Sequence, residues 1–206
     1  MLTGPVDLAP HHDVSCFDSG SGLVDGALQW LAAIELLEKR AYVAHLDHTL
    51  KVVVDKKVVG SWEKEHVVGF IHAKTVHVSA AEIGQMGGGT PEAKGFPLMI
   101  IHIKNMGVHH FYRGKGLHIG TQLVKAAIQE LADKNRFRAL FCGVRLYSLP
   151  AAKNFYRVLG FEAYGSSDCQ FFLSPEKAEA LLGQPLRPAR RGAMPEGGWP
   201  LPDNMF

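Results

Sequence analysis

Apolar residues recur at Leu23, Ala27, Trp30, Leu31, Ile34 and Leu37, the three-and-four spacing of a single helical face. This predicts an amphipathic helix that follows a polar stretch over residues 1–22 and runs past Arg40. Two β-rich stretches come next, Leu50 to Val59 and His66 to Val78, and Gly60 to Glu65 between them predict the turn of an antiparallel hairpin. From Ala80 to Pro97 the density of breakers, including Gly87, Gly88, Gly89, Pro91 and Gly95, predicts a long mobile loop. A loop of that length inside a domain tends to border a functional cleft.

Leu98 to Val108 predicts a central strand, which runs into a Gly-rich turn and then a second helical stripe, Ile119, Leu123, Val124, Ala127, Ile128 and Leu131. Arg138 to Leu146 reads as another strand. Pro150 lies near the start of a helix carrying Phe155, Val158 and Leu159, and Gly160 is its natural stop. Phe161 to Tyr164 and Gln170 to Leu173 read as closing strands, and Ser174-Pro175-Glu176 opens a short helix ending at Gly183. The Pro-rich stretch 184–206 reads as an extended or disordered tail. One domain over residues 23–183, flanked by the polar segment 1–22 and the tail, accounts for the pattern.

Composition narrows the class. At 206 residues and 47% hydrophobic, the chain can bury one sizeable core. No apolar run approaches the ~20 residues of a membrane span, and the N-terminus lacks a signal-peptide pattern, so a soluble cytoplasmic protein is expected. Cys16, Cys142 and Cys169 are widely spaced and read as small, mostly buried residues without disulfides. A net charge of +2 does not by itself point to nucleic acid. Eleven histidines invite a metal reading, but none lies in a spaced cluster with cysteine or carboxylate on one element. His11-His12 and His109-His110 would point to opposite faces of a strand, and no metal site is expected.

The strongest chemical signal is the order strand, Gly-rich turn, helix across residues 98–134. A helix N-terminus offers unpaired N–H groups to an anion, and glycines let the backbone approach phosphate oxygens. Arg113 and Lys115 add positive charge beside that nest, which suits a diphosphate. A tight turn with solvated basic residues is the plainer alternative. A P-loop would need Ser or Thr after Gly-Lys, yet Gly116 follows Lys115. A dinucleotide-binding turn belongs in the first unit of a parallel βαβ run, whereas this turn follows a hairpin.

Arg113-Gly114-Lys115-Gly116-Leu117-His118, with the strand end Val108 before it, resembles the pyrophosphate loop of the GNAT acetyltransferase superfamily: Gln or Arg, two residues, Gly, one residue, then Gly or Ala. His118 stands where the second Gly or Ala belongs. An alternative register from Lys115 to Gly120 places Gly120 correctly but sets His118 on the first required Gly. The segment Ala151 to Phe161, with Phe155-Tyr156 and Gly160-Phe161, is similar to the family's late segment, whose tyrosine is its usual general acid. A phenol with a pKa near ~10 can give a proton to a departing thiolate at neutral pH. The resemblance therefore implies Tyr156 as general acid; an aromatic core residue is the alternative. Leu149, flanked by Ser148, stands where many members carry an Asn that contacts the coenzyme.

The resemblance implies an α/β (α+β) fold, with a central mixed, mostly antiparallel sheet flanked by helices and splayed at the strand Leu98 to Val108. It implies acetyl-CoA as cosubstrate, held by main-chain groups at Met106 and Val108 and by Arg113, Gly114, Lys115, Gly116, Leu117, His118 and Gly120. It also implies direct attack of an amine on the acetyl carbonyl, without a covalent enzyme intermediate or a metal. Glu82, His102 and a water chain remain open as general base, while Cys142 reads as a buried strand residue.

Within the superfamily, the acetyltransferase toxins of bacterial toxin-antitoxin pairs resemble this chain over about residues 12–182. Asp18-Ser19-Gly20, Trp30-Leu31, Val67-Val68-Gly69-Phe70 and Gly95-Phe96-Pro97 carry the likeness, with Ser19 in place of a usual cysteine. That likeness implies an aminoacyl-tRNA acceptor, an antitoxin protein as partner, and a homodimer. Lys134, Arg136, Arg138, Arg145, Lys153 and Arg157 are basic residues available to RNA or to solvent. A small-molecule or protein amine is the alternative acceptor, which would favour acidic residues such as Glu63, Glu65, Glu82 and Glu92 at the cleft. A degenerate, non-catalytic binding module is the alternative of another class.

Overall fold

Valines 52, 53 and 54 are all buried, a continuous apolar run that requires cover on both faces of a sheet. A computed structural model describes residues 1–9, 11–37, 48–59, 62–89, 97–136 and 138–186. The strands are β1 (Leu2–Asp7), β2 (His12–Asp13), β3 (His48–Val59), β4 (Trp62–Val78), β5 (Leu98–Val108), β6 (Leu140–Tyr147), β7 (Glu162–Ala163) and β8 (Gln170–Leu173). They form one open mixed sheet in the order β1-β3-β4-β5-β6-β8-β7, with β2 alongside β4. The β5–β6 and β2–β4 pairs are parallel and the others antiparallel.

The helices are α1 (Gly22–Leu37), α2 (Ala80–Gln85), α3 (Ile119–Asn135), α4 (Lys153–Val158) and α5 (Pro175–Leu182). On one face α3 lays Leu123, Ala127, Ile128 and Leu131 against Val53, Ile71, Ile101 and Val144. On the other face Leu28, Leu31 and Ala32 of α1 pack over Val52, Val54 and Phe70. Each fully buried aliphatic side chain contributes about 1.5–3 kcal/mol, so the Val52-Val53-Val54 run binds both layers to the sheet. No described helix is long and apolar enough to cross a membrane.

Several expectations are corrected. Among the described side chains of α1, Leu28, Leu31 and Ala32 are buried and Val24 is partly buried, whereas Leu23 and Trp30 are exposed, so this part of the packed face is rotated from the one the spacing selects. The polar N-terminal segment 1–22 also adds to the sheet, because β1 pairs with β3 and β2 with β4. Within the breaker-rich stretch after β4, Ala80–Gln85 is helical. Ser79 accepts from Glu82 N–H while the Glu82 carboxylate accepts from Ser79 N–H, a capping box that outweighs the local glycines. Ile83 and Met86 bury against Ile100, Cys142 and Phe172. Residues 90–96 of that stretch, residues 60–61 of the expected Gly60 to Glu65 turn, and residues 38–47 lie outside the described residues, while Trp62 to Glu65 belong to β4. Of the tail, Leu186 is buried in the main core and its N–H donates to Glu179 at 3.0 Å.

Candidate active site

Strand β5 is paired on both sides only along its first half. Its register with β6 runs from Leu98↔Leu140 to Ile103↔Leu146 and stops there, while pairing with β4 continues to Val108. At the same point Lys104 is an extra residue, since Ala73 opposes Ile103 and His72 opposes Asn105. A bulge bends and twists its strand, so Lys104 turns β5 away from β6. Gly107 then opposes Phe70, and His109 N–H donates to the Val68 carbonyl at 2.8 Å. Strand alternation aims the main-chain groups of Met106 and Val108 at the edge that β6 has left.

A cleft of about 590 Å³ occupies that gap. Met106, Val108, Arg113, Gly114, Gly116, Leu117, His118 and Gly120 all line it, joined by Leu149 and Tyr156. Gly114 and Gly116 take left-handed φ of +69° and +72°, which lets the loop fold back to α3 without a Cβ penalty. His118 is also left-handed, at φ +51°, and its side chain does not cap α3. The first N–H groups of α3 therefore face the cleft without a capping side chain.

The two loop cations are engaged elsewhere. Arg113 donates from Nε to the Val108 carbonyl at 2.9 Å and from its terminal nitrogen to the Ser19 carbonyl. It binds the end of β5 to the N-terminal segment. Lys115 is the one predicted coenzyme residue that the structure leaves off the cleft lining: its ammonium lies 3.2 Å from the centre of the Phe111 ring, a cation–π contact.

Tyr156 lies on α4, reached through a 3-10 turn at Pro150–Ala152. Its ring packs edge-on to Phe155 and Phe161 at centroid distances of 5.0 and 5.7 Å. Burial alone pushes its phenol well above the ordinary tyrosine value, so the proton is held throughout the neutral range. It is both a core aromatic and a cleft-lining group. Ser148 is buried and its hydroxyl donates to the Leu149 carbonyl at 2.8 Å, leaving Leu149 to face the cleft.

The other wall is Ser19, Gly20, Ser21 and Val24, together with Tyr112. Tyr112 donates to Asp55 at 2.5 Å, and burial, then the Asp55 carboxylate, raise its phenol to about 12. The sequence signal for this wall was the Asp18-Ser19-Gly20 likeness; nothing local marked Tyr112. Glu82 is committed to its capping box, whose hydrogen bonds lower its pKa. Glu65, expected in a turn, is in β4 and ion-paired with Lys56 at 2.5 Å. Glu63 is likewise in β4, and Glu92 lies outside the described residues. Cys142 is buried as expected, and its thiol donates to the Leu140 carbonyl at 3.2 Å, whereas Cys16 is exposed.

Lys74, His102 and Arg145 stand opposite one another across β4, β5 and β6, with exposed Lys104 beside them. Burial first, then Arg145, Lys104 and Lys74, lower the His102 imidazole to about 4. Among the other expected RNA-facing cations, Lys134 pairs with Glu130 at 2.5 Å, Lys153 pairs with Asp168, and Arg157 lies 5.9 Å from the Phe171 ring.

Among curated proteins no sequence relative was found. Solved structures share the fold. The AtaT toxin complexed with acetyl-methionyl-tRNAfMet superposes with a TM-score of 0.63 at 15% identity, covering 88% of this chain and 98% of that one. A tyrosine-to-phenylalanine mutant of KacT gives 0.62 at 15% identity, with 88% and 98% covered. A similar mutant of the AtaT toxin, bound to the C-terminus of the antitoxin AtaR and acetyl-CoA, gives 0.58 at 14% identity, with 89% and 97% covered. The profile of the acetyltransferase (GNAT) family matches residues 24–161, from the cleft wall at Val24 through the Gly-rich loop to Phe161 beyond Tyr156. With its sheet open where β5 leaves β6, this chain belongs to the GNAT family of acetyl-CoA-dependent N-acetyltransferases.

Proposed function

We propose that this enzyme transfers acetyl from acetyl-CoA to the amino group of an aminoacyl-tRNA, with Tyr156 as general acid. The observation that carries the reading is the convergence of three features on one cleft: the open edge of β5, the uncapped N-terminus of α3 and the Tyr156 side chain. The α3 turn holds the pyrophosphate through backbone N–H groups from Gly116 to Gly120. The N–H groups of Met106 and Val108, at the edge β6 has left, pair with the pantetheine arm, and one of them polarises the thioester carbonyl. The amine attacks directly, and Tyr156 gives its proton to the departing thiolate. His102, neutral through the physiological range, accepts protons only weakly, and a water chain relays the amine proton.

An RNA acceptor is supported by Lys74, Lys104 and Arg145, cations set around the neutral His102 on the sheet where β5 bends toward the cleft. A small cationic amine would want carboxylates there, and Glu65 and Glu82 are committed elsewhere. An antitoxin partner and a homodimer are part of the same reading, as is a place in the cytoplasm, where charged tRNA is found. The test is acetyl transfer from labelled acetyl-CoA to charged tRNA, beside a panel of small amines. Transfer to charged tRNA with salt-dependent binding is expected. Transfer only to small amines would replace the acceptor, and coenzyme binding without transfer to any amine would make the chain a binding module.

A further inference from the structure

The parallel pairing of β2 with β4 sets His12 opposite Glu65 and Asp13 opposite His66. It thereby gathers two triads, His11-His12-Glu65 and Asp13-Cys16-His66, in each of which one ligand atom per residue lies within 4.8 Å of the others. The sequence expectation of no metal cluster looked for ligands on one element; here they come from two. The first triad is committed to protons. His12 Nδ1 accepts the Ala9 N–H at 3.0 Å, which puts the proton of the neutral ring on Nε2, 3.1 Å from Glu65. The second triad differs. Ser15 N–H and hydroxyl donate to Asp13 Oδ1 at 2.9 and 2.6 Å, so that Oδ2 is the oxygen facing His66. His66 Nδ1 is closed off from solvent and makes no hydrogen bond, although Asp13 Oδ2 lies 3.2 Å away.

We propose that Asp13, Cys16 and His66 form a site for a divalent transition ion of the zinc type. Thiolate, imidazole and carboxylate together select a borderline-soft ion over magnesium or calcium, and water takes the fourth position. Ligands about 2.0–2.3 Å from a tetrahedral ion lie roughly 3.3–3.8 Å apart, close to the Asp13–His66 separation. On binding, the Cys16 thiol releases its proton to solvent. The site lies outside the acetyl-transfer cleft and takes no part in its chemistry. It adjoins the cleft wall through the chain: five residues after Asp13, the Asp18 carbonyl accepts from His110 N–H at 2.8 Å, and Ser19 is held by Arg113. An ion at Asp13-Cys16-His66 fastens the near end of that wall to β4.

The test uses the full chain, stripped with chelator and titrated with cobalt(II) and then zinc(II). One equivalent of cobalt should give a thiolate-to-metal charge-transfer band that zinc abolishes, with a proton released. Cys16→Ser should remove the band and weaken zinc at least tenfold, roughly the loss that even outer-shell changes cause. His66→Gln should weaken zinc similarly, and Cys169→Ser should leave both readouts intact. Lack of a charge-transfer band in the folded wild type, or zinc affinity unchanged by Cys16→Ser, overturns the proposal. Because Cys16 is exposed, its variant decides the matter even if His66→Gln fails to fold.

Discussion

The Phe155 ring lies so close to Gly120 that a Cβ at position 120 would stand 3.0 Å from Cζ and 3.1 Å from Cε2. This contact joins the first turn of α3 to the helix that carries Tyr156. An alanine at position 120 gains about 0.5–1 kcal/mol of helix propensity but displaces the ring by a few tenths of an ångström. Gly120→Ala should therefore leave the melting temperature within a few degrees of wild type. Turnover should fall about tenfold, since misplacing a reacting group by a fraction of an ångström is costly. Thermal unfolding beside a thiol-release assay checks both arms, and unchanged turnover would uncouple Phe155 from the position of Tyr156.

His118 enters α3 in a left-handed conformation that costs a non-glycine residue about 1–2 kcal/mol. Glycine removes that strain and returns part of it as unfolded-state entropy. His118→Gly should stabilise the fold by about 0.5 kcal/mol, and His118→Ala should not. Because the loop presents its backbone to the cleft, acetyl-CoA should bind His118→Gly at least as tightly as wild type in calorimetric titration.

The order of strands and helices was legible because β3 to β5, α3 and α5 each carry a strong periodic or capping signal; β5 spans the predicted Leu98–Val108 and Ser174 caps α5. Long-range packing was not legible. The phase of α1 depends on which residues meet Phe70 and Val52, so Trp30, a good helical-stripe residue, is exposed. The capping box at Ser79 and Glu82 was written in the sequence but outweighed by the count of glycines. In the site, the Gly-rich loop and Tyr156 were legible as motifs. That Lys115 would stack on Phe111, and that Arg113 would hold two carbonyls, depended on loop geometry that residue types do not encode.

Tyr156→Phe keeps the ring contacts with Phe155 and Phe161 and removes only the hydroxyl. Loss of a general acid costs about 10²–10⁴ in rate. The variant should bind acetyl-CoA within a few-fold of wild type while kcat falls by at least ~10². Since burial raises the phenol pKa, the wild-type rate should show no decline from tyrosine ionisation up to about pH 10. Single-turnover measurements across pH decide whether Tyr156 belongs to the mechanism.

His72 is buried in β4, and burial first, then His48, Lys104, Lys74 and His102, lower its pKa to about 4. The unfolded chain takes a proton below about 6.5 that the folded chain refuses, so this residue's contribution is fully present above that pH and is lost as pH falls toward 4. The loss is on the order of 3 kcal/mol. Urea midpoints should fall between about pH 7 and about pH 4.5, and His72→Leu, neutral at every pH, should flatten the dependence.

Arg113 separates two accounts of the loop. If its guanidinium acted as a phosphate ligand, lysine would keep the charge and much of the affinity, with a strong dependence on salt. In the structure the guanidinium spends Nε on the Val108 carbonyl and its terminal nitrogen on the Ser19 carbonyl, a fork that a point charge cannot reproduce. Arg113→Lys should therefore lower stability by about 1 kcal/mol, since the lost bonds are charge-assisted but solvent-exposed. It should weaken acetyl-CoA about tenfold, by the same factor at low and high salt, because the cleft wall at Ser19 is no longer tied to β5. Calorimetric titrations at two ionic strengths provide the check: a loss confined to high salt would return Arg113 to the phosphate.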